Sequence, residues 1–441
     1  MLVHELASWA VAVREIDLPA RRAVSRVITD AIAAAVAGMS VGGSRAAAAA
    51  AADVWGDGDV PIWFAGAKAS LPGAVFANAT AASILDLDDG HRAAAGHPGA
   101  AIVPAVLGAA HAMGASDEQA LVAVAIGYEI GIRIAAARDL RAVDTLITAR
   151  WCGQGVAAAI GWLKGRPSDE IAEAIAIAGA VAPHMLVAEY TQVGNHTKEA
   201  IPFGAVNGVA AARLAEAGFK GPTDILDNPA YFDADRLRRG GADGRLLVET
   251  AYFKPYSCCR WAHAPIDAML ELVDEKLDWR AIDKIEVHTF ARTLTLNNQP
   301  HPQTIQAAQY SVPFCVAASA VGGIAALQPM TEDLLGNAEV HALAERVTLI
   351  VDPDLDAAFP AAVPGRLVVS TGAQQYVRDV SAPKGEATNP MSWAELTGKL
   401  RTVGRARLEP SQLEALLEAV EQLQEEGKLA RLYACLARGC Y

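Results

Sequence analysis

Residues 86–97 gather three carboxylates (Asp86, Asp88, Asp89), two imidazoles (His91, His97) and the guanidinium of Arg92. Uncharged, alanine-rich stretches lie on either side. Ionisable groups forced together in an apolar setting are costly unless paired, so the cluster is a candidate site for proton transfer or for holding a charged ligand. The competing reading is a solvated acidic loop at a surface tip. Asn78–Leu85 reads as a helix running into Asp86, with Gly90 as the C′ residue that ends it. His97-Pro98 reads as a second helix start, because proline is favoured at the first helical position. The spacing therefore predicts a short polar loop joining the tips of two buried helices.

Two further segments carry groups of the same kind. Gly194-Asn-His-Thr-Lys198 puts a lysine at the start of a helix expected over 198–217, where it is either a surface residue or an anion ligand beside free backbone N–H groups. Lys254-Pro-Tyr-Ser-Cys258-Cys259-Arg-Trp-Ala-His263 falls where composition changes, at a hinge, or packs as a junction with buried thiols. Adjacent cysteines chelate one metal poorly, so no metal is expected there. The remaining histidines have no partner pattern. No phosphate loop, dinucleotide fingerprint or nucleophile elbow is present, and Gly153-Gln-Gly155 is too short to serve as a phosphate loop.

These groups must be positioned by a chain of 441 residues, 52% apolar and 20% charged. That length allows two domains, or one with an insertion. The net charge of −13 argues against a nucleic-acid partner and against adhesion to an anionic membrane. Six sparse cysteines form neither a disulfide framework nor metal spacing. The N-terminus lacks a basic region followed by an apolar run, and the uncharged span Ala307–Thr331 reads as a buried core helix, so a cytoplasmic chain is expected. Residues 1 to about 250 read as successive helices with no strand pattern of useful length; among them are 17–37, a capped helix from Ser116 with Glu129 paired to Arg133, and 153–163. Strand patterns appear at 284–290, 347–351, 366–370 and 376–380. The predicted fold is mainly α: a helical domain over 1–260, a smaller inserted α+β lid over 261–400, and C-terminal helices over 401–441 returning to the first domain.

Taken together, the segments resemble the MmgE/PrpD (2-methylcitrate dehydratase) family. The matching pieces are Asp86-Leu-Asp-Asp-Gly-His with His97-Pro98, Gly194-Asn-His-Thr-Lys198, Lys254-Pro-Tyr-Ser-Cys-Cys with His263, and Tyr310-Ser-Val-Pro-Phe314. The resemblance implies a helical domain with an α+β lid, a homodimer, and cofactor-free chemistry on a small anionic polycarboxylate. By matching position Asp86, His97, Lys198 and Lys254 inherit the catalytic roles, and His91, Asp89, Cys259 and His263 become candidate substrate ligands.

Three departures bear on the reaction. Thr148-Ala-Arg-Trp-Cys152 replaces a histidine-bearing turn, Phe314 stands where a tyrosine is frequent, and Cys258 or Cys259 replaces a histidine. Proton removal next to a carboxylate builds a dianion that needs positive charge in a dry cleft. Lys198 and Lys254 would supply that charge, His97 would serve as neutral base, and Asp86 would orient a partner. Epimerisation asks least of a depleted acid/base set, so the expectation is an isomerase, an epimerase or racemase of an iminodisuccinate-like polycarboxylate. The alternative is a dehydratase or decarboxylase of a 2-methylcitrate- or cis-aconitate-like tricarboxylate. A non-catalytic binder of anionic metabolites and a metal-dependent hydrolase using Asp86, Asp88, Asp89 and His91 are the other classes.

Overall fold

Local signals start most helices where the sequence places them. In the computed structural model, which describes residues 1–185, 195–372 and 374–440, Asp17 accepts the Ala20 amide at 2.9 Å to open Leu18–Gly38. Ser116 and Gln119 cap Asp117–Ala136 reciprocally. Inside that helix Arg133 Nε donates to Glu129 at 2.8 Å, and the other Glu129 oxygen accepts the Leu247 amide at 2.7 Å. This i,i+4 pair is structural. Helices make up 58% of the structure and strands 9%, so the fold is mainly helical with a small sheet.

Glycine sets how closely two central helices approach. A Cβ on Gly155 would stand 2.4 Å from the Gly127 carbonyl, so Cys152–Leu163 and Asp117–Ala136 meet backbone to backbone. The Gly153-Gln-Gly155 run serves this packing.

The sheet has four strands, each where the alternation predicts one: β3 (Ile282–Thr289), β4 (Val347–Val351), β5 (Gly365–Thr371) and β6 (Gln374–Val380), following the two-stranded β1 (Val60–Ile62) and β2 (Ala67–Ala69). Its order is β4-β3-β5-β6, with β3 and β4 parallel and the other pairs antiparallel. One buried apolar cluster joins helices between Leu2 and Phe253 to residues between Met391 and Leu436. A second runs from Tyr256 to Val369 and includes one face of the sheet and the Val312–Gly322 helix. Leu140 and Leu146 bridge the two by packing on Phe290, Phe359 and Val363. Asp117–Ala136 is long and apolar enough to cross a membrane, and 89% of its apolar window is buried inside the protein.

The helical half holds two strands, β1 and β2, each three residues long and too short to carry a period-2 signal. Two expectations are corrected. The helix before Asp86 spans Leu71–Ser83, and Gly90 is not its C′ residue. Gly90 instead pairs with Tyr252, whose ring lies 2.3 Å from where its Cβ would be. The helix assigned to Lys198 begins at Ile201, and Gly194 lies outside the described residues.

The loop that follows Leu71–Ser83 is tied down from the C-terminal part of the chain. Lys399, on the Trp393–Arg405 helix, is fully buried and donates to Asp30 at 2.7 Å and to the Leu87 carbonyl at 2.6 Å. Removing one partner of a buried pair strands the other charge. Lys399→Met should therefore cost about 3–5 kcal/mol in chemical denaturation, and adding Asp30→Asn should recover part of it. Unchanged stability in the single variant would remove Lys399 as the anchor of this loop.

Candidate active site

Asp86 sits just past a helix end in the left-handed region, at φ 52°, a conformation that aspartate tolerates better than most residues. One of its oxygens, Oδ1, takes the Lys254 Nζ at 2.7 Å and the Lys198 Nζ at 2.8 Å, and Lys254 also reaches the Asp86 carbonyl at 3.1 Å. All three residues are buried. His97, one residue before Pro98 at the start of Gly99–Met113, brings Nε2 to 3.5 Å from the same oxygen and 3.5 Å from Glu199. Its Nδ1 is 3.2 Å from Asp88 but off the line of the ring N–H, an electrostatic contact and not a formed hydrogen bond.

Lys198 arrives by a strained backbone. Lys198, Glu199 and Ala200 have φ of 31°, 50° and 52°, each costing roughly 1–3 kcal/mol in a non-glycine residue. The side chains hold this turn in place. Lys198 bonds Asp86 and the Tyr310 hydroxyl. Glu199 accepts the Thr148 hydroxyl at 2.8 Å and the Thr148 amide at 3.0 Å, and Thr148 Oγ1 accepts the His97 amide at 3.0 Å. Thr148, where the sequence lacks a histidine-bearing turn, thus links His97 to Glu199.

The charges settle one another. Burial alone would raise the Asp86 carboxyl, but Lys198, Lys254 and His97 outweigh it and hold the group well below the usual carboxylate range. Burial would likewise depress both lysines, and the Asp86 carboxylate instead keeps them above their ordinary values. Glu199 is also held low against its burial, chiefly by Lys198. Burial drives the Tyr310 hydroxyl well up, so it stays a neutral phenol.

A cavity of about 50 Å³ opens on this cluster, walled by Asp86, His97, Glu199, Cys259, Arg260 and Tyr310 among others. The two lysines stand behind Asp86. Of the residues expected at a site, the structure brings Asp86, His97, Lys198, Lys254 and Cys259 together. Burial raises the Cys259 thiol, so it is a thiol and not a thiolate. The others lie apart. Asp89 accepts the Gly99 amide at 2.9 Å and the Tyr128 hydroxyl at 2.8 Å, inside the helical core. His91 bonds Thr250 at 2.9 Å and faces a separate outer cavity. His263 is fully buried between Arg260 (3.0 Å) and the Cys258 carbonyl (3.2 Å). Asp86, Asp88 and His97 could each offer an atom to one ion, all within 4.8 Å of one another, but Asp86 Oδ1 already serves two ammonium groups.

Glu199 and Tyr310 were not among the expected site residues. Glu199 adjoins Lys198 and Tyr310 opens the Tyr310–Phe314 stretch, yet neither has a spacing signal. Phe314 is a fully buried core residue, while Tyr310 places a hydroxyl on Lys198.

Residues 4–235 match the MmgE/PrpD N-terminal domain and residues 256–425 the MmgE/PrpD C-terminal domain. The chain is 24% identical over 477 residues to a cis-aconitate decarboxylase-like protein, oryM, of Aspergillus oryzae, covering 98% of this chain and 96% of that one. It is also 24% identical over 478 residues to a cis-aconitate decarboxylase of Aspergillus terreus, with the same coverage. These relatives are named for decarboxylation, a lyase reaction, and not for isomerisation. The expectation of an isomerase is corrected on that ground.

Burial pushes His91 down to about 4, helped by Arg92, and pushes His263 well down, helped by Arg260. Above pH 6.5 both are neutral folded or unfolded and contribute nothing to pH dependence. As pH falls below 6.5 only the unfolded chain takes up these protons, so stability falls, by roughly 3 kcal/mol for His91 on reaching pH 4. His91→Gln should flatten this limb in denaturant titrations at pH 7 and pH 5. A limb of unchanged slope would show that His91 is not held neutral.

Proposed function

Because the chain belongs to the MmgE/PrpD family, we propose that it is a lyase that decarboxylates an unsaturated tricarboxylate of the cis-aconitate type. In such a substrate a methylene carboxylate is allylic to the double bond. When carbon dioxide leaves, the electron pair of the broken C–C bond forms a new double bond. The electrons of the old double bond take up a proton at its far carbon. A trianion and one proton thus give carbon dioxide and a dianion.

His97 is assigned the proton, since its ring borders the cavity with Asp86, Asp88 and Glu199 around it. Asp88 faces Nδ1, which leaves Nε2 for the substrate. Lys198 donates to the Tyr310 oxygen, so the phenol hydrogen is left to bind a substrate carboxylate. Lys198 and Lys254 fix Asp86 and set the field in which charge moves, a kind of preorganisation worth about 3–4 kcal/mol per group in other enzymes. Residues of the sheet-bearing cluster's leading segment, Cys259 and Arg260, complete the wall with Tyr310, which is the lid role we give to residues 261–400 and their hinge.

One observation carries this reading: a buried carboxylate shared by two ammonium groups, beside an imidazole, at the edge of a small cavity. The relatives' names supply the choice of reaction. Incubation with cis-aconitate should release carbon dioxide and consume one proton per molecule released, read together in a pH-stat. His97→Gln should lower kcat by about 10²–10⁴-fold, with Lys198→Ala in the same direction. No carbon dioxide from the wild type, with water lost from 2-methylcitrate instead, would overturn decarboxylation. Wild-type turnover in His97→Gln would overturn the proton assignment.

A further inference from the structure

Among the described residues lining the cavity, the permanent cations are two guanidinium groups, Arg92 and Arg260. The lysines do not line it. Both arginines converge on a single oxygen of Glu386. Arg92 Nη2 lies 2.5 Å from Oε1, and Arg260 reaches the same atom with Nε at 3.0 Å and Nη2 at 2.9 Å. Both also stack on the Tyr252 ring, at 4.9 and 4.8 Å. Two cations and one anion leave one net positive charge, 17%, 4% and 12% exposed at Arg92, Arg260 and Glu386.

The two arginines are not held equally. Arg260 also donates to the Lys384 and Pro383 carbonyls at 2.9 and 3.1 Å and contacts His263 at 3.0 Å, so it is fixed. Arg92 has Glu386 as its ion partner, and its buried Nε has no hydrogen-bond partner among the described residues. Glu386 sits on a turn fastened by the Phe253 amide to the Gly385 carbonyl and by the Lys384 amide to Asp267. Of the three, Arg92 is the one free to move. It also lines an outer cavity of about 840 Å³ together with Glu386, so it stands between that space and the small inner one.

We propose that Arg92 and Arg260 form a carboxylate clamp of the active site, in which Glu386 holds the place that a distal carboxylate of the substrate takes on binding. Planar guanidinium forks suit a carboxylate in two-point contact, and a lysine does not reproduce that geometry. The clamp and the Tyr310 hydroxyl line the same cavity, so a ligand that offers one carboxylate to each carries at least two. This deepens the decarboxylase reading and rests on it for the identity of the substrate, though not for the clamp's preference for polycarboxylates.

The test uses tricarballylate, a saturated tricarboxylate, in calorimetric titration, alongside turnover of cis-aconitate. Arg92→Gln should weaken tricarballylate binding roughly tenfold to a hundredfold, the effect of losing hydrogen bonds to a charged group, and raise KM for cis-aconitate with kcat little changed. Arg92→Lys, which keeps the charge and loses the fork, should fall between. Glu386→Gln should bind tricarballylate more tightly than the wild type, even if its melting temperature is lower. Equal tricarballylate affinity in Arg92→Gln and wild type, or weaker binding in Glu386→Gln, would overturn the clamp. Arg92-dependent binding without decarboxylation would leave the clamp standing and sink the reaction, and decarboxylation without Arg92 dependence would do the reverse.

Discussion

One carboxylate oxygen, Asp86 Oδ1, accepts two ammonium groups, and all three residues are buried. Each of the three charges would be costly to bury alone, and effective penalties run to several kcal/mol per ion even after relaxation. Together they satisfy one another, so none can leave without stranding the rest. Asp86 comes from the loop after Leu71–Ser83, Lys198 from the turn before Ile201–Glu216, and Lys254 from the link between Phe253 of the first apolar cluster and Tyr256 of the second. The cluster therefore fastens three distant parts of the chain at one point.

The strained turn at Lys198–Ala200 makes sense on those terms. Three consecutive left-handed residues persist only where their surroundings hold them, and here Asp86, Tyr310 and Thr148 do so. The same contacts aim Glu199 at His97. Strain, ion pairing and the placing of an acid/base group are one arrangement. Lys399 extends it outward by gripping the Leu87 carbonyl next to Asp86, so a C-terminal helix helps to hold a loop more than 300 positions earlier in the sequence.

Much of this was legible because the signals were local. Capping residues marked Leu18–Gly38 and Asp117–Ala136, and period-2 runs marked β3 to β6, since cap bonds and pleats involve near neighbours in the chain. The charged trio is named through the family resemblance of its three segments; residue type alone leaves Lys198 as a surface residue or an anion ligand and Lys254 at a hinge or a packed junction. What the sequence hid was set by tertiary contact. Asp89 and His263 look like site residues by position, yet one caps Gly99–Met113 and the other braces Arg260. Glu199 and Tyr310 carry no spacing pattern and reach the cavity only because Lys198 turns left-handed and Tyr310 folds back on it. The expectation of an isomerase comes from reading the replaced histidines at Thr148–Cys152 and at Cys258 or Cys259, with Phe314, as a loss of acid/base groups, and the decarboxylase names of the relatives correct it.

Electrostatics then follow from geometry. The permanent cations among the cavity's described lining residues are Arg92 and Arg260, while the lysines act through Asp86. Everything proposed about chemistry requires Asp86 to stay ionised. Its ionisation can be watched directly by ¹³C NMR of aspartate-labelled protein, with Asp86→Asn identifying the resonance. The carboxyl carbon of Asp86 should keep its ionised shift down to the lowest pH at which the chain remains folded; uptake of a proton near pH 4 or above would contradict a carboxylate held by two buried cations.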